Sequence, residues 1–342
     1  MSSPLVALRC DAEAATGLGH LLRCLALAEA LLDLGLEVVV VGSVDEVPLA
    51  GRLLEQHRLQ VHAAPVGSLV PVLDRLGAAA LVVDSYSVDA DIFTEVRATG
   101  RTVVAVIDSP APRLEADLLV NPNYGSERSM AVPHLGRVLA GVSYALLRGS
   151  VTRRRPAALP RSAETAHRVL VVLGGTDVLR SAAHLTERLL ATGLPLSLDV
   201  VCATPQIRRT VERLPVLTDQ HLRAYDPVED LPALAAGAEV VVSAAGTTMW
   251  ELACLGRPMA LVTVADNQLP GYEAVVSAGL AVGLGPAQEL ASTPEATTAS
   301  LRHLIENPDL RGQLATAGYA MVDGRGRDRV ADAMGLLLGA RR

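Results

Sequence analysis

Short uninterrupted apolar runs, each followed by a stretch of helical periodicity, recur along the whole chain. The first, 5–10, leads into 21–34, where Leu21, Leu25, Ala28 and Leu32 repeat at three- and four-residue spacing with Arg23, Glu29 and Asp33 on other faces. Gly35 ends that helix, and 36–42 is a Val-rich run of strand length bounded by glycines. A strand without polar alternation is buried on both faces, and such strands alternating with helices build a parallel sheet covered on both sides. The alternation continues with helices expected at 48–58, 69–76 and 92–98, and strands at 60–63, 80–84, 102–107, 117–121 and 137–140. It breaks into Arg-, Pro- and Ala-rich sequence, then restarts with strands at 168–173, 197–202, 222–225, 239–243, 258–264 and 280–282 and a helical tail over 294–338. The expectation is an α/β chain of two tandem doubly wound, Rossmann-like domains, each with its ligand crevice at the carboxyl ends of the strands. Residues 1–150 form the first domain, 151–167 a linker, 168–325 the second domain and 326–342 a C-terminal helix.

Composition narrows the function classes. One Trp, six Tyr and one Phe in 342 residues leave the cores to Leu, Val and Ala. The formal charge is −7, and the one basic cluster, Arg153-Arg154-Arg155 beside prolines, reads as a solvated linker, so no nucleic-acid partner is expected. Every basic residue is arginine, and a chain without lysine has neither a Walker-type phosphate loop nor a Schiff-base nucleophile. Cys10, Cys24, Cys202 and Cys254 lie in apolar runs without Cys-x-x-Cys spacing and read as reduced packing residues. Asp11 and Glu13 interrupt the first apolar run, so neither signal peptide nor membrane span is expected, and the localisation reading is cytoplasmic.

Thr16-Gly17-Leu18-Gly19-His20 joins the first strand to the first helix. Glycines allow a tight turn, and the helix aims unpaired amides at whatever sits there. Leu22 replaces the third glycine of a dinucleotide fingerprint, and the second strand ends in Gly42-Ser43 without the acid that holds a ribose, which argues against nicotinamide. His20 is either a capping or packing histidine or a base poised near neutrality. Arg23, one turn on, adds positive charge beside it.

Gly174-Gly175-Thr176-Asp177 and Gly246-Thr247-Thr248 each sit where a buried strand passes into a helix and offer amides and hydroxyls to phosphate oxygens. Glu251, three residues past Thr248, is placed for a ribose diol or for a helix capping box. Asp89-Ala90-Asp91 has the Asp-x-Asp spacing of metal-dependent sugar-nucleotide enzymes, but its place before a helix favours capping, so no metal or cofactor is expected.

Taken in order, these stretches, with Leu8-Arg9-Cys10-Asp11, Val83-Asp84-Ser85-Tyr86, 116–123, 144–148, Ala265-Asp266-Asn267-Gln268 and 322–326, resemble one family over nearly the whole chain. It is the UDP-2,4-diacetamido-2,4,6-trideoxy-β-L-altropyranose hydrolases of pseudaminic acid biosynthesis, in the glycosyltransferase-B (GT-B) superfamily with the MurG-type transferases. The resemblance implies that a UDP-sugar, or another nucleoside-diphosphate sugar, binds with UDP on the C-terminal domain and its sugar toward the N-terminal one. It implies that His20 activates water at the anomeric carbon without a metal. Asp11, Thr16, Gly17, Gly19 and Tyr86 would line the sugar side. The Gly174–Asp177 and Gly246–Thr248 loops would hold the diphosphate, Glu251 the ribose, and Asn267 and Gln268 the nucleotide or sugar edge. Asp108-Ser109 departs from the paired acids that the family often shows. Two other readings stand beside the hydrolase: a GT-B glycosyltransferase in which His20 deprotonates an acceptor, and a non-catalytic sugar-nucleotide sensor. The oligomeric state is not legible.

Overall fold

The computed structural model describes residues 3–12, 18–44, 47–65, 69–108, 114–129, 136–174, 177 and 180–340. The chain divides into two compact units, Met1–Gly149 with Gly324–Arg342, and Ser150–Asp323.

The first unit holds β1 (Leu5–Cys10), α1 (Gly19–Asp33), β2 (Glu37–Val41), α2 (Pro48–His57), β3 (Val61–His62), α3 (Leu69–Leu76), β4 (Ala80–Asp84) and α4 (Ala90–Ala98). It continues through β5 (Thr102–Val106), β6 (Leu118–Asn121), the short α5 (Ser126–Ser129) and β7 (Arg137–Ala140). The seven strands are parallel in the order β3-β2-β1-β4-β5-β6-β7. Side chains on one sheet face, including Val6, Leu8, Val40 and Val82, join the core beneath α1, while Ala7, Val39, Leu81 and Val83 join the core beneath α3 and α4. Two covered faces are why these strands read as continuous apolar runs.

α1 is buried nearly all round. Its outer side is covered by the last helix, α14 (Gly326–Leu338), whose Val330, Ala331 and Met334 enter the same core. Gly326 is seated so tightly that a Cβ there would lie 2.3 Å from the Ala145 carbonyl oxygen. Glu29 of α1 fastens this corner. Its carboxylate accepts from His57 Nε2 at 2.9 Å, from the Gly149 amide at 2.6 Å and from Arg327 of α14.

In the second unit, α6 (Gly149–Thr152) straddles the boundary and is followed by β8 (Arg168–Val172), α7 (Ser181–Leu190), β9 (Ser197–Val201), α8 (Pro205–Val211), β10 (His221–Tyr225) and α9 (Leu231–Gly237). Then come β11 (Val240–Ala244), α10 (Thr248–Cys254), β12 (Met259–Thr263), α11 (Leu269–Ser277), β13 (Val282–Pro286), α12 (Pro294–Glu306) and α13 (Pro308–Met321). The order is β10-β9-β8-β11-β12-β13, again all parallel.

Three expectations are corrected. The arginine run is not a solvated linker: Arg155 donates to the carbonyls of Cys254, Val322 and Tyr319 and lies 3.5 Å over the Tyr319 ring, and Arg154 pairs with Asp230 at 2.6 Å. Backbone carbonyls of a neighbouring helix end satisfy a guanidinium as well as water does. The last strand falls at Val282–Pro286 rather than 280–282, because Gly283 and Gly285 break its apolar signal. A Cβ on Gly283 would meet the Tyr272 hydroxyl at 2.5 Å. Asp89 does sit at the start of α4, but its side chain makes no capping hydrogen bond, and only Asp91 lies in the first turn. All four cysteines are free and buried, and among the described residues no helix is long and apolar enough to cross a membrane.

The Glu29–His57 pair makes stability depend on pH. His57 is raised above its ordinary value, first by the hydrogen bond to Glu29 and opposed by burial. Burial pushes the Glu29 carboxyl up, but His57, the Gly149 amide and Arg327 outweigh it and hold it low. The His57 contribution is full below about pH 6.5 and is lost as the pH rises through its raised folded value. The Glu29 contribution is full above about pH 4.3 and is lost on acidification. We expect His57→Gln to lower stability by about 1–2 kcal/mol between those limits, with the gap closing at alkaline pH, measured by urea unfolding across a pH series.

Candidate active site

In a doubly wound sheet, ligands bind beyond the carboxyl ends of the strands where the order reverses. In the first unit that point lies between β1 and β4, and the polar residues gather there. Asp11 follows β1, His20 and Arg23 stand in the first turns of α1, Asp84 ends β4, Asp108 follows β5 and Asn121 ends β6.

At the centre is Asp84, fully buried. Its carboxylate accepts from Arg23 Nε at 2.9 Å and Nη2 at 2.6 Å, and stands 2.6 Å from His20 Nδ1. Arg23 Nη2 is also 3.0 Å from Nδ1. A guanidinium N–H and a carboxylate cannot both bond the same ring nitrogen as donor and acceptor. The shorter contact decides: Nδ1 carries the hydrogen and donates to Asp84, and the arginine is close because it shares that oxygen. The lone pair of His20 is thereby left on Nε2, which no hydrogen bond engages among the described residues.

Arg23 continues to Asp108, bonding both carboxylate oxygens, one at 3.1 Å. Asp108 also accepts from the Tyr86 hydroxyl at 2.5 Å and from Asn123 Nδ2 at 3.1 Å. Burial pushes the Asp108 carboxyl up, but Arg23, Tyr86 and Asn123 overcome this and hold it well below the usual carboxylate range. The Tyr86 ring stands edge-on to His20, centroids 4.5 Å apart at 86°. The charge of Arg23, which the sequence presents as a lone positive neighbour of His20, is thus taken up by two carboxylates.

Of the residues expected on the sugar side, Gly19, His20 and Tyr86 come together, while Thr16 and Gly17 lie outside the described residues. Asp11 is close by but buried, at 6% exposure, with its carboxylate bonded within the protein. The sequence reading missed Asp84, Arg23 and Asn123 as site residues and took Asp108 as a departure. A readable signal existed for two of them: an acid closing an otherwise apolar buried strand, and an arginine three residues after the histidine inside an apolar helix.

In the second unit, the turn after β8 and the turn after β11 flank the corresponding reversal of strand order. Gly174 is exposed at φ +82°. Gly175 and Thr176 lie outside the described residues. Asp177 is turned inward: at 3% exposure, its carboxylate accepts from the amides of Ser181 and Ala182 at 2.7 and 2.9 Å. Burial pushes its carboxyl up against these amides. The first amides of α7 are therefore filled by the chain's own anion. Around the other turn, Gly246, Thr247 and Thr248 are half-buried and Glu251 is buried in the first turn of α10. The capping-box reading of Thr248 fails, because Thr248 is the first helical residue, and Thr247, which stands at the N-cap, makes no side-chain capping hydrogen bond. Gln268 accepts from the Val264 amide at 3.0 Å, and its Nε2 lies 3.7 Å from where a Cβ on Gly246 would stand. Asn267 is exposed beside it. Gly246 and Gln268 are thus neighbours, as the loops after β11 and β12. Among the described residues no three His, Cys, Asp or Glu side chains are grouped to hold a metal ion.

Against known structures, the chain aligns with MurG of Acinetobacter baumannii at a TM-score of 0.69 and 17% identity, covering 97% of this chain and 99% of the other. The fold is GT-B. UDP-GlcNAc 2-epimerase of Neisseria meningitidis, bound to UDP-GlcNAc, aligns at 0.64 and 15% identity over 97% and 99%. The spinosyn rhamnosyltransferase SpnG with thymidine diphosphate aligns at 0.66 and 16% over 98% and 99%. No protein-family model matches the chain. Among curated sequences, an uncharacterized protein of Methanocaldococcus jannaschii is 19% identical over 279 residues, covering 78% of this chain and 57% of that protein. The spore coat polysaccharide biosynthesis protein SpsG of Bacillus subtilis, a distant homologue, is 23% identical over 226 residues, 63% of each. The chain spans about three fifths of the length of these curated relatives.

Asp84→Asn separates the two roles of the carboxylate. The amide leaves Arg23 short of an acceptor and can present an N–H to His20 Nδ1. We expect a loss of about 3–5 kcal/mol in chemical unfolding. We also expect the His20 proton to move from Nδ1 to Nε2, read from imidazole ¹⁵N shifts at alkaline pH; wild-type shifts would remove Asp84 as the orienting group.

Proposed function

We propose that this protein is an inverting hydrolase of a nucleoside-diphosphate sugar, with His20 as the base. The observation that carries the reading is the His20–Asp84 pair at the switch point of the first sheet: a histidine held by Nδ1, with Nε2 as its basic atom. Water bound at Nε2 attacks the anomeric carbon, and its proton passes to Nε2 as the new C–O bond forms. The bond from C1 to the diphosphate oxygen breaks on the opposite face, and the nucleoside diphosphate leaves with that electron pair. Asp84, accepting from Nδ1–H, fixes the tautomer and balances the charge that the ring acquires.

The nucleotide is assigned to the second unit, chiefly to Gly246, Thr247 and Thr248, with Glu251 for the ribose and Asn267 and Gln268 at the nucleotide or sugar edge. Solved relatives carry UDP, UDP-GlcNAc or thymidine diphosphate, which supports a nucleoside diphosphate as the ligand class. The sequence resemblance narrows this to UDP and a 2,4-diacetamido-2,4,6-trideoxyhexose or close relative, placing the chain in cytoplasmic pseudaminic-acid-type biosynthesis. The SpsG relationship supports a role in making surface polysaccharide.

A transferase is the second reading, favoured by the transferases among the solved relatives. Incubation with a panel of nucleoside-diphosphate sugars and no acceptor discriminates. Release of nucleoside diphosphate and free sugar, with ¹⁸O from water at the sugar C1, is expected; strict dependence on an acceptor would sink the hydrolase. A general base contributes roughly 10²–10⁴-fold, so His20→Ala should lose about that much turnover while still binding UDP. Unchanged turnover would remove His20 from the mechanism.

A further inference from the structure

We infer that Asp11 is a positioning residue that holds Tyr86 against His20 by clamping the two serines on either side of the tyrosine, and that it makes no contact with substrate. The carboxylate is spoken for. Oδ1 accepts from the Ser43 amide at 3.1 Å, and Oδ2 accepts from Arg9 Nη2 at 3.0 Å, the Ser85 hydroxyl at 2.9 Å and the Ser87 hydroxyl at 3.0 Å. Oδ2 takes three of these donors and Oδ1 the fourth, so little of the carboxylate's acceptor capacity is left over. The approach from β2 is closed too: a Cβ on Gly42 would lie 3.0 Å from Oδ1 and 2.1 Å from the Cys10 carbonyl oxygen. Arg9 is anchored in turn on the Ala64 carbonyl at 2.5 Å.

What the clamp holds is a half-exposed aromatic. Tyr86 is 56% exposed, so packing alone does not fix it. Both neighbouring hydroxyls donate to one atom, Asp11 Oδ2, and Ser85 Oγ in turn accepts from the Ser87 amide at 3.2 Å. With both flanks fixed, the ring edge meets the imidazole and the hydroxyl reaches Asp108. Asp11 lies at the end of β1 and Ser85 just past β4, so the clamp spans the same reversal of strand order at which His20 stands. The ring then limits imidazole rotation about the axis that Asp84 leaves free.

The kinetic part of the test rests on the hydrolase reading; the spectroscopic part does not. In protein labelled at histidine, the His20 ring C–H signals, assigned by loss in His20→Gln, report the ring current of Tyr86. We expect Asp11→Asn to move them most of the way to their position in Tyr86→Ala, and the double variant to move them no further. Ser85→Ala with Ser87→Ala, which leaves the buried charge in place, is expected to do the same if Asp11→Asn does not fold, while Ser87→Thr keeps the wild-type signals. In turnover, Asp11→Asn is expected to lower kcat/KM roughly 5–100-fold in the wild type and to add little on top of Tyr86→Ala. Wild-type His20 signals in both Asp11→Asn and the serine pair, or losses that multiply with that of Tyr86→Ala, would overturn the inference. Shifted signals in a protein that releases no nucleotide from any sugar would overturn the hydrolase reading and leave the clamp standing.

Discussion

One buried carboxylate sets the geometry of the first unit. Asp84 is wholly excluded from water at the end of a central strand, and burying an unpaired carboxylate costs several kcal/mol. Three contacts offset that cost, two from Arg23 and one from His20. Hydrogen bonds to charged groups are worth about 1.5–3 kcal/mol each, so the arrangement is near balance when complete and strongly unfavourable when any partner is lost. Because the donors sit three residues apart on one helix face, they fix the rotation of α1 as well as its position. A helix turned by a single residue would bring neither side chain to the strand end. The same contact that pins the helix also sets the histidine's tautomer, so fold and chemistry depend on one atom group.

The two units repeat a topology and use it differently. In each, the first strand turns into a helix beside the reversal of strand order. In the first unit that helix brings a histidine and an arginine to the strand ends. In the second, Asp177 occupies the helix start, accepting from its first amides, which are then closed to a phosphate. At the turn after β11 it is Gln268, from the loop after β12, that approaches Gly246. Equal folds do not imply equal sites; the side chains at the turns decide.

The alternation of strands and helices was legible because a parallel sheet covered on both faces leaves unbroken Val, Leu and Ala runs. Only β13, built on Gly283 and Gly285, escaped, since glycine carries no apolar signal. His20 and Tyr86 were readable as residue types beside a glycine turn and a strand end. The pairing was not: Asp84, Asp108 and Asn123 come from three strand ends far apart in sequence, and although an acid closing an apolar strand stands out, nothing in a linear pattern says which acid reaches which histidine or arginine. The serine donors to Asp11 were illegible for the same reason, since they lie 32 to 76 residues away. The arginine run at 153–155 was misread because its partners are backbone carbonyls, which any sequence offers.

The charge count of the cluster bears on how His20 would act as the proposed base. Asp84 and Asp108 share one arginine, so two carboxylates and one guanidinium sum to −1 beside the imidazole. In the proposed hydrolysis, the proton that passes to His20 would bring that sum to zero. A carboxylate already fixed by Arg23 does not reorganise as this happens, which is the condition under which preorganised groups lower a barrier. Arg23 therefore serves two ends: it helps to hold the Asp108 carboxyl well below the usual carboxylate range, and it offsets part of the charge of two acids that lie together beside His20.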